Sequence, residues 1–180
     1  MKPLRALLAA LFTTVAATAE QQKPPSKPPA EIMRELRLQW LTRKPTPAEK
    51  KEEVSAVLMD WPLDGQTITV LASSVGDASI YTTATFGIMG GIGHEKVRRT
   101  ALAFVECAKR NFGLASPTTD FSYPDHGHVR FFIVTPTGVR SVTFPATEVQ
   151  KKGSDAYDLY ASGQEVLTEL RQITQQQRGY

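Results

Sequence analysis

The segment "HVRFFIVTPTGVRSVTF", residues 128–144, limits the fold more than any other part of the chain. Successive side chains of a strand point to opposite faces. Val129, Phe131 and Ile133 therefore share one face and Phe132 and Val134 the other, and both faces are apolar. A strand of that kind belongs in the middle of a sheet. Pro136 and Gly138 are turn-forming residues, and "VRSVTF" after them alternates, so the segment reads as a hairpin whose first strand is central. Cys107 is the only cysteine among 180 residues. An internal disulfide framework is excluded, and stability has to come from a core built around strands like this one.

The rest of the chain supplies partners for that strand. From Glu31 to Thr42, Ile32, Met33, Leu36, Trp40 and Leu41 recur at helical spacing, and Pro45 closes the segment. Thr46, Pro47 and Glu49 form a capping box that starts a further helical turn or two. The run 54–60 can be read as helix or as buried strand; its shortness favours the strand. Asp64-Gly65 and Gly76-Asp77 are turn signals around "TITVLAS", which with "ASIYTTATF" reads as an antiparallel hairpin. From Glu95 to Phe112, Val97, Ala101, Phe104, Val105, Ala108 and Phe112 fall on one helical stripe, with Glu95–Arg99 and Glu106–Arg110 as i,i+4 pairs on the other side. Ser154 or Asp155 caps a last helix with a buried stripe through Ala156, Leu159, Tyr160, Gly163, Val166, Leu167, Leu170 and Ile173. The predicted order is α-βββ-α-ββ-α, a single α+β domain over residues 31–174 with an antiparallel sheet of about five strands packed against helices around Phe132 or its neighbours. A polar tail, 175–180, follows.

Residues 1–19 have the layout of a secretory signal peptide: Lys2 and Arg5, an apolar run from Leu7 to Phe12, and the small triplet Ala17-Thr18-Ala19. The uncharged run from Ala6 to Ala19 is shorter than the roughly 20 apolar residues of a spanning helix. Cleavage is expected after Ala19, leaving a periplasmic or secreted protein with no stable membrane anchor. Residues 20–30, "EQQKPPSKPPA", read as an extended Pro-rich linker. Without Lys2 and Arg5 the charge balance falls to 19 basic against 18 acidic residues. Without residues 20–30 it is 17 against 17. The basic pI is thus a property of the N-terminal segments and gives no support for nucleic-acid binding, which needs a clustered basic face.

The candidate site residues gather around "FGIMGGIGHEKVRR", residues 86–99. A Gly-rich link at a helix start can present backbone N–H groups to an anion, which makes Gly90, Gly91, Gly93, His94, Glu95 and Arg98 candidate ligand-binding residues. The spacing matches neither the dinucleotide fingerprint nor the Walker loop. Interleaved Ile88, Met89 and Ile92 point instead to a structural corner, with glycine supplying positive φ or close approach at Gly91 or Gly93. His94, His126 and His128 are the whole histidine supply and the candidate metal ligands, with Asp125 or Glu95 to complete a site. The second histidine of the H-E-x-x-H pattern is missing. Cys107, in mid-helix beside the apolar stripe, reads as a small hydrophobe. No catalytic constellation and no cofactor motif is present in the sequence.

The strings "DASIYTTATFGIMGGIGHEKVRRTALAFVECA", "VRFFIVTPTGV" and "YDLYASGQEVLTELR" resemble a group of small bacterial proteins of unassigned function, in which a Gly-rich turn is followed by His-Glu-x-Val-Arg. The resemblance spans about Val54 to Arg171 and implies a strand at 54–60, but no catalytic role for any residue. The leader and the Pro-rich linker depart from that group. The element order is also similar to the type III secretion chaperone-like sandwich, a fold of cytoplasmic binding proteins, which bears on fold and not on function. The expectation is an exported, non-enzymatic protein-binding module, such as an adaptor, inhibitor or immunity-type protein, whose partner is another protein. A small-ligand, phosphate or metal-binding protein or enzyme using the Gly-rich corner with His94 and Glu95 is the alternative.

Overall fold

Phe131 and Phe132 point to opposite faces of the sheet, and what meets each of them defines the architecture. A computed structural model describes residues 27–46, 53–84 and 86–177. The leader 1–19, most of the linker, the capping-box turn from Pro47 onward and residues 178–180 lie outside the described residues. The chain runs through α1 (Pro29–Leu41), β1 (Ala56–Leu63), β2 (Gln66–Ser73), β3 (Ala78–Thr82), β4 (Gly87–Ile88), α2 (Glu95–Arg110), β5 (Ser116–Pro117), β6 (His128–Thr135), β7 (Gly138–Pro145), α3 (Ala146–Val149) and α4 (Asp155–Gln177). All seven strands form one sheet in the order β4-β3-β2-β1-β6-β7-β5, and every pairing is antiparallel.

The α+β reading holds, while the strand count does not: seven strands stand where about five were expected. The two extra strands, β4 and β5, are two-residue pairings at the sheet edges, too short to show any alternation. The run 54–60 enters a strand, as the shorter reading required, and Leu58 and Met59 of β1 lie opposite Phe132 and Phe131 of β6. The β1–β2 turn is Asp64-Gly65, both with positive φ (50° and 77°). That two-residue geometry suits the right-handed twist of a hairpin.

On one face Val57, Met59, Val70, Ile80, Phe131 and Ile133 pack with Phe104 of α2 and with Leu159 and Leu170 of α4. On the other, Leu58, Leu71, Tyr81, Phe132 and Val134 pack under Met33 and Leu41 of α1. Of Phe132 and its neighbours, it is Phe131 that α2 and α4 pack around. Phe132 belongs to the layer beneath α1. Both rings are fully buried, each contributing about 1.5–3 kcal/mol of burial free energy. The stripes on α2 and α4 are buried as expected, except that Phe112 lies in a short 3-10 turn beyond α2 and, like Tyr160 and Ile173, is only partly buried.

Element ends are set by side chains the sequence displays. Pro29 opens α1, where its fixed φ suits a first helical position, so helix begins within the expected linker. The backbone N–H of Tyr157 donates to Ser154 Oγ at 3.1 Å, which makes Ser154 rather than Asp155 the cap of α4. That helix runs on to Gln177, past the expected boundary at 174. On α2 the acidic residues pair at i,i+3 instead of i,i+4: Glu95 with Arg98 (3.9 Å) and Glu106 with Lys109 (3.2 Å). Gly163 lets α4 sit close to the sheet, since a Cβ there would lie 2.8 Å from Met59 Sδ.

Candidate functional site: the glycine corner and its surroundings

Between β3 and α2 the chain reverses, pairs briefly as β4 and turns again. Thr82 holds the first reversal, its hydroxyl donating to the carbonyl of Phe86 at 2.7 Å. Ile88 then lies opposite Ile80 and Gly87 opposite Tyr81. Gly90 adopts the left-handed conformation (φ 81°, ψ 42°), and Gly91–Gly93 form a single 3-10 turn. Gly91 has ordinary φ but no room, because a Cβ would sit 2.5 Å from Val97 Cγ1 and 2.9 Å from Leu170 Cδ2. Nothing lies within 4 Å of a Cβ at Gly93 and its φ is not positive, so neither reason for glycine applies there. Conformational freedom is needed at Gly90 and close approach at Gly91.

His94 is the N-cap residue of α2 but its side chain makes no capping bond. His94, Glu95 and Arg98 are exposed, and the last two face each other as a loose ion pair. His126 lies in the turn that leads into β6, and His128 is its first residue. The structure does not gather the three histidines: among the described residues no group of three His, Cys, Asp or Glu side chains could hold a metal ion. Cys107 is buried in α2.

What the corner does present is apolar. Phe86, Met89 and Ile92, three large side chains within seven residues, are each more than half exposed, at 52, 59 and 51 %. Scattered single hydrophobes are ordinary on a protein surface, whereas clustered ones mark contact sites. Phe86 also borders a groove of about 410 Å³ between α4 and the ends of β1, β2 and β3.

On the opposite face lies a buried charged centre that is not among the residues expected from the sequence. Arg37 of α1 and Asp60 of β1 are 1 % and 0 % exposed. Arg37 Nε donates to both Asp60 oxygens (3.1 and 3.0 Å), an Nη2 bond adds to the fork, and Nη1 donates to the Phe121 carbonyl at 2.9 Å. Thr69 Oγ1 donates to Asp60 Oδ1 at 2.6 Å. The Arg37 guanidinium stacks 4.2 Å from the Tyr123 ring centroid and 5.2 Å from that of Phe132. Burial pushes the Asp60 carboxyl above its usual range, and Arg37 and Thr69 oppose the shift. The signal was present: Arg37 interrupts the apolar stripe of α1, and Asp60 is the one charge in the apolar run "VLMDW". Two opposite charges on two buried faces imply a pair. Beside it, Arg130 Nη1 donates to Asp120 Oδ2 at 2.8 Å and Nη2 to the Asp120 carbonyl at 3.0 Å, fastening segment 118–123 to the sheet. These charges are spent on one another.

Comparison with protein-family models, with curated proteins and with solved structures returned no match.

Proposed function

We propose that this chain is an exported, non-enzymatic protein-binding module that meets its partner through the lip formed by Phe86, Met89 and Ile92. The observation that carries the reading is the exposure of these three apolar side chains on one short link. Water contact with such a cluster is costly, and a partner that covers it recovers the hydrophobic free energy. The corner beneath suits a contact surface, because Gly91 is wedged between α2 and α4 and holds the lip against the core. Export rests on the tripartite leader of residues 1–19. Among the described residues no helix is long and apolar enough to cross a membrane.

The test compares tagged wild type with a Met89→Lys/Ile92→Lys variant, both recovered from the envelope fraction of producing cells. Wild type should begin at Glu20 and co-purify with a partner in fixed stoichiometry. The variant should melt within a few degrees of wild type and lose the partner. Retention of the same partner by the variant would contradict the lip, and an intact Met1 terminus would contradict export.

A further inference from the structure

The groove beside Phe86 has a composition that narrows its occupant. Its inner wall is apolar: Trp61, Leu63, Ile68 and Ile80 from the sheet, with Leu167 of α4 and Phe86 at the rim. Its outer wall is one face of α4 from Gln164 to Gln175, about 16 Å of helix at 1.5 Å per residue. Along that wall the polar groups are neutral amides and Thr168, with a single charge, Arg171. Arg171 also lines an adjoining hollow of about 400 Å³ with Ile88 and Thr174, and it has no ion-pair partner among the described residues. Gln164 Nε2 is shielded from solvent without an acceptor.

We propose that this groove binds a long-chain monocarboxylate, its alkyl chain along the sheet wall and its carboxylate on Arg171. Charge complementarity carries the assignment: a slot with one apolar wall, one wall of neutral amides and a single cation unpaired among the described residues suits a molecule with one anionic head and an apolar body. A polypeptide laid in the same slot would bring an N–H and a C=O at nearly every residue, and among the sheet-side side chains only the Trp61 indole N–H could meet any of them. An alkyl chain has no such groups. Arg171 lies seven residues, about 10 Å, from the Gln164 end of that wall, so at about 1.25 Å of advance per carbon, set by the C–C bond length, about the first eight carbons of the chain lie along it. The site shares Phe86 with the proposed protein contact, while Met89 and Ile92 do not line it.

The experiment is calorimetric titration of the chain with dodecanoate below its micelle-forming concentration, with dodecylammonium as the oppositely charged probe. Trp61 lines the groove and its fluorescence reports on occupancy. The expected result is saturable 1:1 binding of dodecanoate accompanied by a change in Trp61 emission. Arg171→Gln should weaken it about five- to tenfold, as loss of a charge-assisted bond does. Dodecylammonium should bind more weakly than dodecanoate, and Thr168→Trp, at an exposed position on the groove wall, should abolish binding without lowering the melting temperature. Absence of saturable binding, equal affinity in Arg171→Gln, or equal affinity for the cationic probe would overturn the assignment. If the Thr168→Trp protein is destabilised, Gln172→Trp at the same wall serves in its place. Retained affinity in a folded blocking variant would place the ligand elsewhere.

Discussion

Arg37 and Asp60 show how one pair of residues can decide where an element docks. Two charges taken out of water are costly, and their mutual attraction and hydrogen bonds largely offset that cost. Removing one partner leaves the other buried and unpaired, so Arg37→Met should destabilise the protein by about 3–5 kcal/mol in urea unfolding. The double variant Arg37→Met/Asp60→Leu should recover most of that loss, because apolar groups of similar volume then fill the site. A double variant no more stable than Arg37→Met would mean that the pair contributes net stability. The glycines make a second case. Gly91→Val forces a side chain against Val97 and Leu170 and should cost about 1–3 kcal/mol. Gly93→Ala enters open space and should stay within about 0.5 kcal/mol. The sequence pattern marked both glycines alike, since crowding at Gly91 comes from α2 and α4, remote in the chain. Arg37 and Asp60 were legible one at a time as charges in apolar settings, but their pairing depends on α1 crossing β1.

At the scale of elements, periodicity served where an element is long and has one buried side. The stripes of α2 and α4 are of that kind, and β6 was recognisable as interior because both its faces are apolar, whereas β2 is buried on both sides, Val70 in one core and Leu71 in the other. Edge pairings β4 and β5 were illegible, each being defined by two residues and by the neighbour it happens to meet. The side of the sheet that each helix covers was not legible either. Phe131 and Phe132 are adjacent and identical in type, and only the placement of α1 separates their surroundings. Phe104→Ala on the α2 face and Phe132→Ala on the α1 face should each cost about 3–5 kcal/mol by denaturant unfolding. A loss within about 0.5 kcal/mol at Phe132 would mean that α1 does not cover its face.

Across the whole molecule, both faces of the sheet are closed by helices, and the large apolar side chains left in water include the three on the link between β3 and α2. The sequence marked that link through its glycines and suggested anion or metal chemistry as the alternative. Among the described residues no three His, Cys, Asp or Glu side chains gather as metal ligands, and glycine at two of the positions has a backbone or packing cause. The exposure of Phe86, Met89 and Ile92 could not be read in advance, because interleaved apolar residues in a Gly-rich turn look like packing residues until their surroundings are known. The central claim is that this lip touches a partner protein. Its most direct test is a photo-cross-linking residue placed at Met89, with Leu114 as control: also an exposed apolar residue, it lies just beyond the far end of α2, a helix about 24 Å long at 1.5 Å per residue. Irradiation of producing cells should give one discrete protein adduct from position 89 and none from position 114, and Ile92→Lys should remove it. No adduct at position 89, or the same adduct from both positions, would contradict the account.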